Sequence, residues 1–275
     1  TRGVKLQRSV GAGKLAVKFD GNRTQLADLY QRANAKIRIP KTHDKAMEAV
    51  LINTSGGMTG GDELSWKIEA LADTHLTVTT QACEKIYRSQ SGVANVTTSV
   101  EIADHALVEW LPQETILFDQ SGLHRKIEIN LAASAGFIGL EAVVLGRRAM
   151  GEPVRQISFA DRWRIVQSGK VIHADDIKLE GSIEALLQKP AALNGAASFA
   201  TMVICLPESQ TDQADLTLAQ IQAALPRDSY WSANQIGTKI VARFVAQDMY
   251  QLRQRLVPVL YAARQQRPLP KVWRT

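Results

Sequence analysis

With 275 residues, 45% apolar and 22% charged, the chain has an ordinary globular composition and is long enough to bury about three quarters of its unfolded surface without staples. Its two cysteines, Cys83 and Cys205, exclude a secreted disulfide scaffold, and no apolar run approaches the roughly 18 residues of a membrane span. All of the net charge of +6 lies in residues 243–275, seven basic residues against one acid, which excludes a chain-wide nucleic-acid surface.

From residue 10 to about 180 the apolar residues recur at period two, the pattern of half-buried strands. LAVKF at 15–19, LSWKIEA at 64–70, HLTVTTQA at 75–82, VTTSVEI at 96–102, ALVEWL at 106–111 and RKIEINLA at 125–132 all follow it. Turns such as Asp20-Gly21-Asn22 and Ser91-Gly92 separate them. FIGLEAVVLG at 137–146, WRIVQSG at 163–169 and KVIHADDIKL at 170–179 are further strand candidates, and no helix pattern appears before about residue 183. Regular strands without intervening helices argue for a sheet stacked or coiled on itself: a sandwich, a barrel or a β-helix-like coil.

The last third changes character, so a single domain is expected, β-rich over 1–180 with an α+β end over 181–275. FATMVICLP at 199–207 reads as a buried strand. DLTLAQIQAAL at 215–225 reads as a helix capped by Asp215, and YWSANQIGTKIVARFVAQ as two strands around Gly237. A second helix is expected over 248–266, capped by Asp248, with Met249, Leu252, Leu256, Val259 and Leu260 on its apolar face. Pro258 should kink it or end it early.

Motifs for common chemistries fail in turn. Gly11-Ala12-Gly13-Lys14 lacks both the upstream glycine and the hydroxyl residue of a phosphate loop, with Arg8 and Leu15 in those places. No G-x-S-x-G elbow is present, and the histidines, His43, His75, His105, His124 and His173, never take metal-cage spacing. Both cysteines read as inert buried thiols. No nucleophile, base and orienting group assemble from neighbouring motifs, so an enzyme is not expected.

One segment stands out. LINTSGGMTGGD at 51–62 carries Gly56-Gly57 and Gly60-Gly61 around Met58-Thr59, followed by Asp62 and Glu63. Paired glycines permit positive φ and close backbone approach, so this is a tight loop between strands, with two carboxylates beside it.

GGMTGGDELS, then TTQACEKIYRS at 79–89, LPQETILF at 111–118, LGRRAMGE at 145–152 and the closing PLPKVWRT together resemble the UreD (UreH) urease accessory protein family over nearly the whole chain. The resemblance implies a mainly β fold, a β-rich helical coil with two C-terminal α-helices. It implies a non-catalytic, cytoplasmic scaffold that binds apo-urease together with the accessory proteins UreF and the GTPase UreG and helps deliver nickel, with neither nucleic acid nor membrane as a partner.

A carrier must hold nickel weakly and transiently, and Ni²⁺ accepts carboxylate and water, so scattered acids along a wet passage suit the task better than a Cys/His cage. The acids that match the family's pattern are Asp62, Glu63, Glu141 and Asp175. Each has a structural alternative: Asp62 as a turn cap, Glu141 as the ion-pair partner of Arg147 or Arg148. Glu84 and Arg88 are a further expected pair. The basic end, with Arg264, Arg267, Lys271 and Trp273, and with Tyr261 as a further anchor, is the expected partner-docking surface. The rival reading is a non-catalytic β-rich ligand- or protein-binding module unrelated to nickel; aromatics at only 6% and scattered speak against a carbohydrate groove.

Overall fold

The computed structural model describes residues 8–42, 44–146, 152–190, 192–226, 228 and 230–273. The strands in chain order are β1 (Val10–Phe19), β2 (Thr24–Arg32), β3 (Ala35–Arg38), β4 (Met47–Asn53), β5 (Glu63–Ala70), β6 (His75–Thr80) and β7 (Glu84–Ile86). They continue with β8 (Ala94–Ile102), β9 (Leu107–Leu111), β10 (Thr115–Leu117), β11 (Ser121–Leu131), β12 (Gly136–Leu145), β13 (Gln156–Gln167) and β14 (Lys170–Ser182). The end of the chain holds α1 (Glu184–Leu187), β15 (Ser198–Cys205), α2 (Thr211–Ala223), β16 (Trp231–Ile236), β17 (Lys239–Ala246) and α3 (Met249–Ala263).

Two sheets share these strands. The first runs β14-β13-β11-β8-β5-β1-β2, the second β16-β17-β15-β12-β9-β6-β4-β3. From β4 to β13 the long strands alternate between them: β4, β6, β9 and β12 in the second sheet, β5, β8, β11 and β13 in the first. Within each set the neighbours are parallel. The chain therefore coils, one strand per sheet per turn. Of the three architectures open on the strand pattern, the β-helix-like coil is the one adopted, with antiparallel hairpins such as β13–β14 and β16–β17 at the margins.

Side chains facing each other between the sheets make the main core, including Ile68, Val100, Val108, Ile127, Phe137, Phe159 and Trp163. The opposite face of the second sheet carries a second core under α2 and α3, built on Ile138, Leu140, Met202, Leu256 and Leu260. Strand β12 is buried on both faces and belongs to both cores, which is why its sequence reads as a nearly continuous apolar run.

Three local expectations are corrected. Helix α2 starts at Thr211 after Gln210, so Asp215 is an interior residue whose Oδ1 accepts from Gln235 Nε2 at 2.6 Å, tying α2 to β16. Helix α3 continues through Pro258 to Ala263, so Pro258 does not end it early. The carbonyl that the missing N–H would have served belongs to Gln254, which faces water, and the buried row Leu252, Leu256, Val259, Leu260 holds the helix on the sheet. Strands β2 and β3 lie where no strand was expected. The Asp248 cap holds as anticipated, accepting from Gln251 N at 2.8 Å. No helix among the described residues is long and apolar enough to cross a membrane.

Candidate functional site

The double-glycine loop joins β4 to β5, and its glycines are required. Gly56, Gly57 and Gly61 have φ of 75°, 144° and 88°. A Cβ on Gly60 would stand 1.9 Å from Ser89 Oγ and 2.3 Å from the Ser91 carbonyl. Gly60→Ala should therefore lower stability by about 2 kcal/mol in urea melts, and adding Ser89→Gly should not restore it, because the backbone carbonyl remains. Recovery in the double variant would show that the side-chain clash was the whole effect.

Asp62 serves this loop. Its Oδ1 accepts from Ser9 N at 2.9 Å and its Oδ2 from Thr59 N at 2.8 Å, and the residue is 8% exposed. Both oxygens are committed to backbone, which is the cap role. Glu63 is exposed on the outward phase of β5, whose inward residues are Leu64, Trp66, Ile68 and Ala70. Neither acid lines the space between the sheets.

Glu141 does. On β12 it shares the inward phase with Phe137 and Val143. Its partner is Arg125 of β11, bonded to Glu141 Oε2 through Nη1; Arg147 and Arg148 lie outside the described residues. Arg125 also reaches Asp161 of β13 with two bonds, Nε to Oδ1 at 3.0 Å and Nη2 to Oδ2 at 2.7 Å, and Thr115 Oγ1 at 3.2 Å. Trp110 Nε1 donates to Glu141 Oε1 at 2.9 Å. Burial, with Asp161 nearby, pushes the Glu141 carboxyl up to about 7 against the pull of Arg125.

Part of this cluster, Arg125, Glu141 and Thr115, lines a small internal cavity. The cavity, of about 60 Å³, has mostly apolar walls, among them Leu64, Trp66, Val96, Trp110 and Leu123, into which Glu84, Gln113, Thr115, Arg125 and Glu141 bring polar groups. A second cavity of about 200 Å³ shares Leu51, Leu64, Trp66, Thr80 and Glu84 with it and extends to Gly56, Gly57, Gln81, Cys83 and Lys85. Gly56, Gln81 and Lys85 are exposed, so the second cavity opens beside the glycine loop, and the residues it shares with the first form the wall between that opening and the buried cluster.

Glu84 stands where the two cavities meet. Its partner is Asn53 Nδ2, at 3.1 and 3.2 Å from its two oxygens, and not Arg88. Burial pushes its carboxyl up to about 7. Beside it the Cys83 thiol faces Glu114 Oε2 at 3.5 Å and is pushed up to about 11 by burial, so it stays protonated and inert; Cys205 is fully buried.

The basic C-terminal end is turned inward. Arg264 Nη2 meets Glu109 Oε2 at 2.8 Å, and Arg267 Nη2 meets Glu109 Oε1 at 2.6 Å. Arg253 Nε meets Glu114 Oε1 at 2.6 Å, Arg255 Nη2 meets Asp228 at 3.1 Å, and Arg243 Nη2 meets Asp175 at 2.8 Å. Trp273 is buried, with Nε1 donating to the Leu111 carbonyl at 3.0 Å. The expected docking face is thus corrected: Arg264 and Trp273 fasten the tail to the second sheet, while Lys271 and Tyr261 are exposed. Asp175 ties β14 to β17, away from these cavities.

The structure therefore brings Glu141 together with Glu84, Arg125 and Asp161, and leaves Asp62, Glu63 and Asp175 elsewhere. Among the described residues no three His, Cys, Asp or Glu side chains are grouped to hold one metal ion. Sequence reasoning missed Arg125 and Asp161, although a signal existed: each is a charge on the apolar phase of its strand, between Leu123 and Ile127 and between Phe159 and Trp163.

Comparison with known proteins follows the same lines. The family model described as UreD urease accessory protein matches residues 9–274. The chain is 47% identical over 267 residues to the urease accessory protein UreD of Sinorhizobium medicae, covering 97% of this chain and 96% of that protein. It is 45% identical over 267 residues to the protein of that name from Rhizobium leguminosarum bv. viciae, with the same coverage. For the Agrobacterium fabrum protein the identity is 43% over 270 residues, 98% of this chain and 93% of that one.

Proposed function

The chain belongs to the UreD urease accessory protein family, and on that premise we propose that it is a non-catalytic scaffold that binds apo-urease with UreF and UreG and passes nickel between its two sheets. A role in urease maturation comes with the family. The observation that carries the finer reading is the pair of neighbouring cavities, with Glu84 lining both and Glu141 lining the inner one.

The lining fits the cargo. Two carboxylates and the hydroxyls of Thr80, Thr98 and Thr115 are oxygen donors, which Ni²⁺ accepts but holds loosely compared with thiolate or imidazole sets. Oxygen donors spaced along a path lower the barrier for a cation without trapping it.

The test compares the unmodified chain with Glu84→Gln/Glu141→Gln in cells carrying apo-urease and the other accessory proteins. Both amides remove the charge; at position 84 the amide oxygen can still accept from Asn53, and at position 141 it can accept from Arg125 or from Trp110 but not from both. Pull-down of apo-urease should be unchanged, while urease nickel content and activity fall five- to tenfold. Full activity in the variant would refute the conduit, and failure of the unmodified chain to activate urease would refute the scaffold as well.

A further inference from the structure

Beside the inner cavity two acids from different sheets converge on one guanidinium. Arg125 gives Nη1 to Glu141 and to Thr115 Oγ1, and Nε and Nη2 to Asp161. All three charged residues are less than 10% exposed. When both carboxylates are ionised, two acids against one arginine carry a surplus negative charge in a buried site, a costly arrangement that a divalent cation would neutralise.

A second observation points the same way. Gln113, 4% exposed, lines the same cavity, and its Nε2 has no hydrogen-bond partner, while its Oε1 is taken by Arg253. A buried amide donor of this kind calls for a water. The cavity of about 60 Å³ has room for more than one, enough to keep part of the hydration shell that an oxygen-bound divalent ion retains.

We propose that the Arg125 guanidinium sits in a latent divalent-cation site formed by Glu141, Asp161 and the Thr115 hydroxyl, and is the plug that an arriving ion must displace from Glu141. The two-bond fork to Asp161 keeps the displaced guanidinium tethered, so it returns once the ion leaves. The acids would otherwise bind the ion firmly; the resident cation keeps their affinity low. This rests on the passage reading above, but its test does not need urease.

Ni²⁺ and Co²⁺ salts are titrated into the full chain and into Arg125→Gln, followed by calorimetry and by Co²⁺ absorption. Arg125→Gln should bind both ions at least tenfold more tightly, and Arg125→Gln/Asp161→Asn should lose that gain. A folded Arg125→Gln that binds no more tightly than the unmodified chain overturns the proposal. The unmodified chain gives a second readout that does not depend on the variant folding. Trp110 touches Glu141 and Trp66 lines the same cavity, so millimolar Ni²⁺ should quench tryptophan emission, and Trp66→Phe/Trp110→Phe should remove most of that quenching; equal quenching in the two proteins also overturns the plug. If the metal results hold but the unmodified chain fails to load apo-urease, the cation site stands and the urease role falls.

Discussion

Arg264→Ala is expected to lower the unfolding free energy by about 3–5 kcal/mol, the usual consequence of removing one partner of a buried ion pair. Its partner Glu109 is 0% exposed and faces the α3 side of the second sheet, where it also accepts from Thr77 Oγ1 at 2.5 Å and Arg267 at 2.6 Å. Burial alone would raise the Glu109 carboxyl; bonds from His75 and Arg264 overcome that and hold it well below the usual carboxylate range. A carboxyl held low contributes stability that is fully present above its ordinary value of 4.5 and is lost as the pH falls below it. Urea unfolding followed by circular dichroism checks the magnitude, and repeating it at pH 7 and pH 4 checks the cause. Arg267→Ala, with 29% of its side chain exposed, should cost only about 1 kcal/mol. The double variant Glu109→Met/Arg264→Met should lose less than either single variant, because no charge is left buried alone. A loss below about 1 kcal/mol for Arg264→Ala would mean that the tail is not held by this pair.

The C-terminal arginines show how far one sequence can be read. Their concentration in residues 243–275 was plain, and a basic stretch on a helix usually means a solvated or docking face. Its acidic counterparts, Glu109, Glu114 and Asp175, are spread through the β-rich region, with Glu109 and Arg264 separated by 155 positions. Pairing over that distance is fixed only when the coil brings β9 under α3. The same holds for Arg125 and Asp161, 36 positions apart yet neighbours because β11 pairs with β13 in register.

Periodicity carried the inner strands because both their neighbours and their buried phase are regular. It failed at β2, an edge strand that pairs only with β1 and is buried at Thr24 alone, so its sequence shows no apolar alternation. At four residues, β3 is too short to show a period. Asp62 leaves two roles open in the sequence for a different reason. An acid after a glycine pair looks the same in sequence whether it lines a passage or caps a loop, and only the bonds from Ser9 N and Thr59 N decide.

Glu84→Gln should make the protein more stable and, on the proposed nickel route, slower in loading apo-urease. Burial raises the Glu84 carboxyl from 4.5 to about 7 in the fold. The folded state then binds more protons than the unfolded state between those values, so stability falls as the pH rises through that window. A shift of this size corresponds to about 3 kcal/mol, and about 2 is expected because the site is only partly withdrawn from water. Glutamine has no proton to lose. Its variant should match the unmodified chain near pH 4.5, exceed it by about 2 kcal/mol at pH 8, and unfold with a flatter pH profile. Equal pH profiles would mean that Glu84 ionises freely, with enough water at the junction of the cavities to solvate it. The paired result, gained stability with slower nickel transfer, separates a functional acid from a structural one: a carboxylate kept for packing would cost stability when neutralised, whereas one kept for its charge is a burden that the fold carries for the cation.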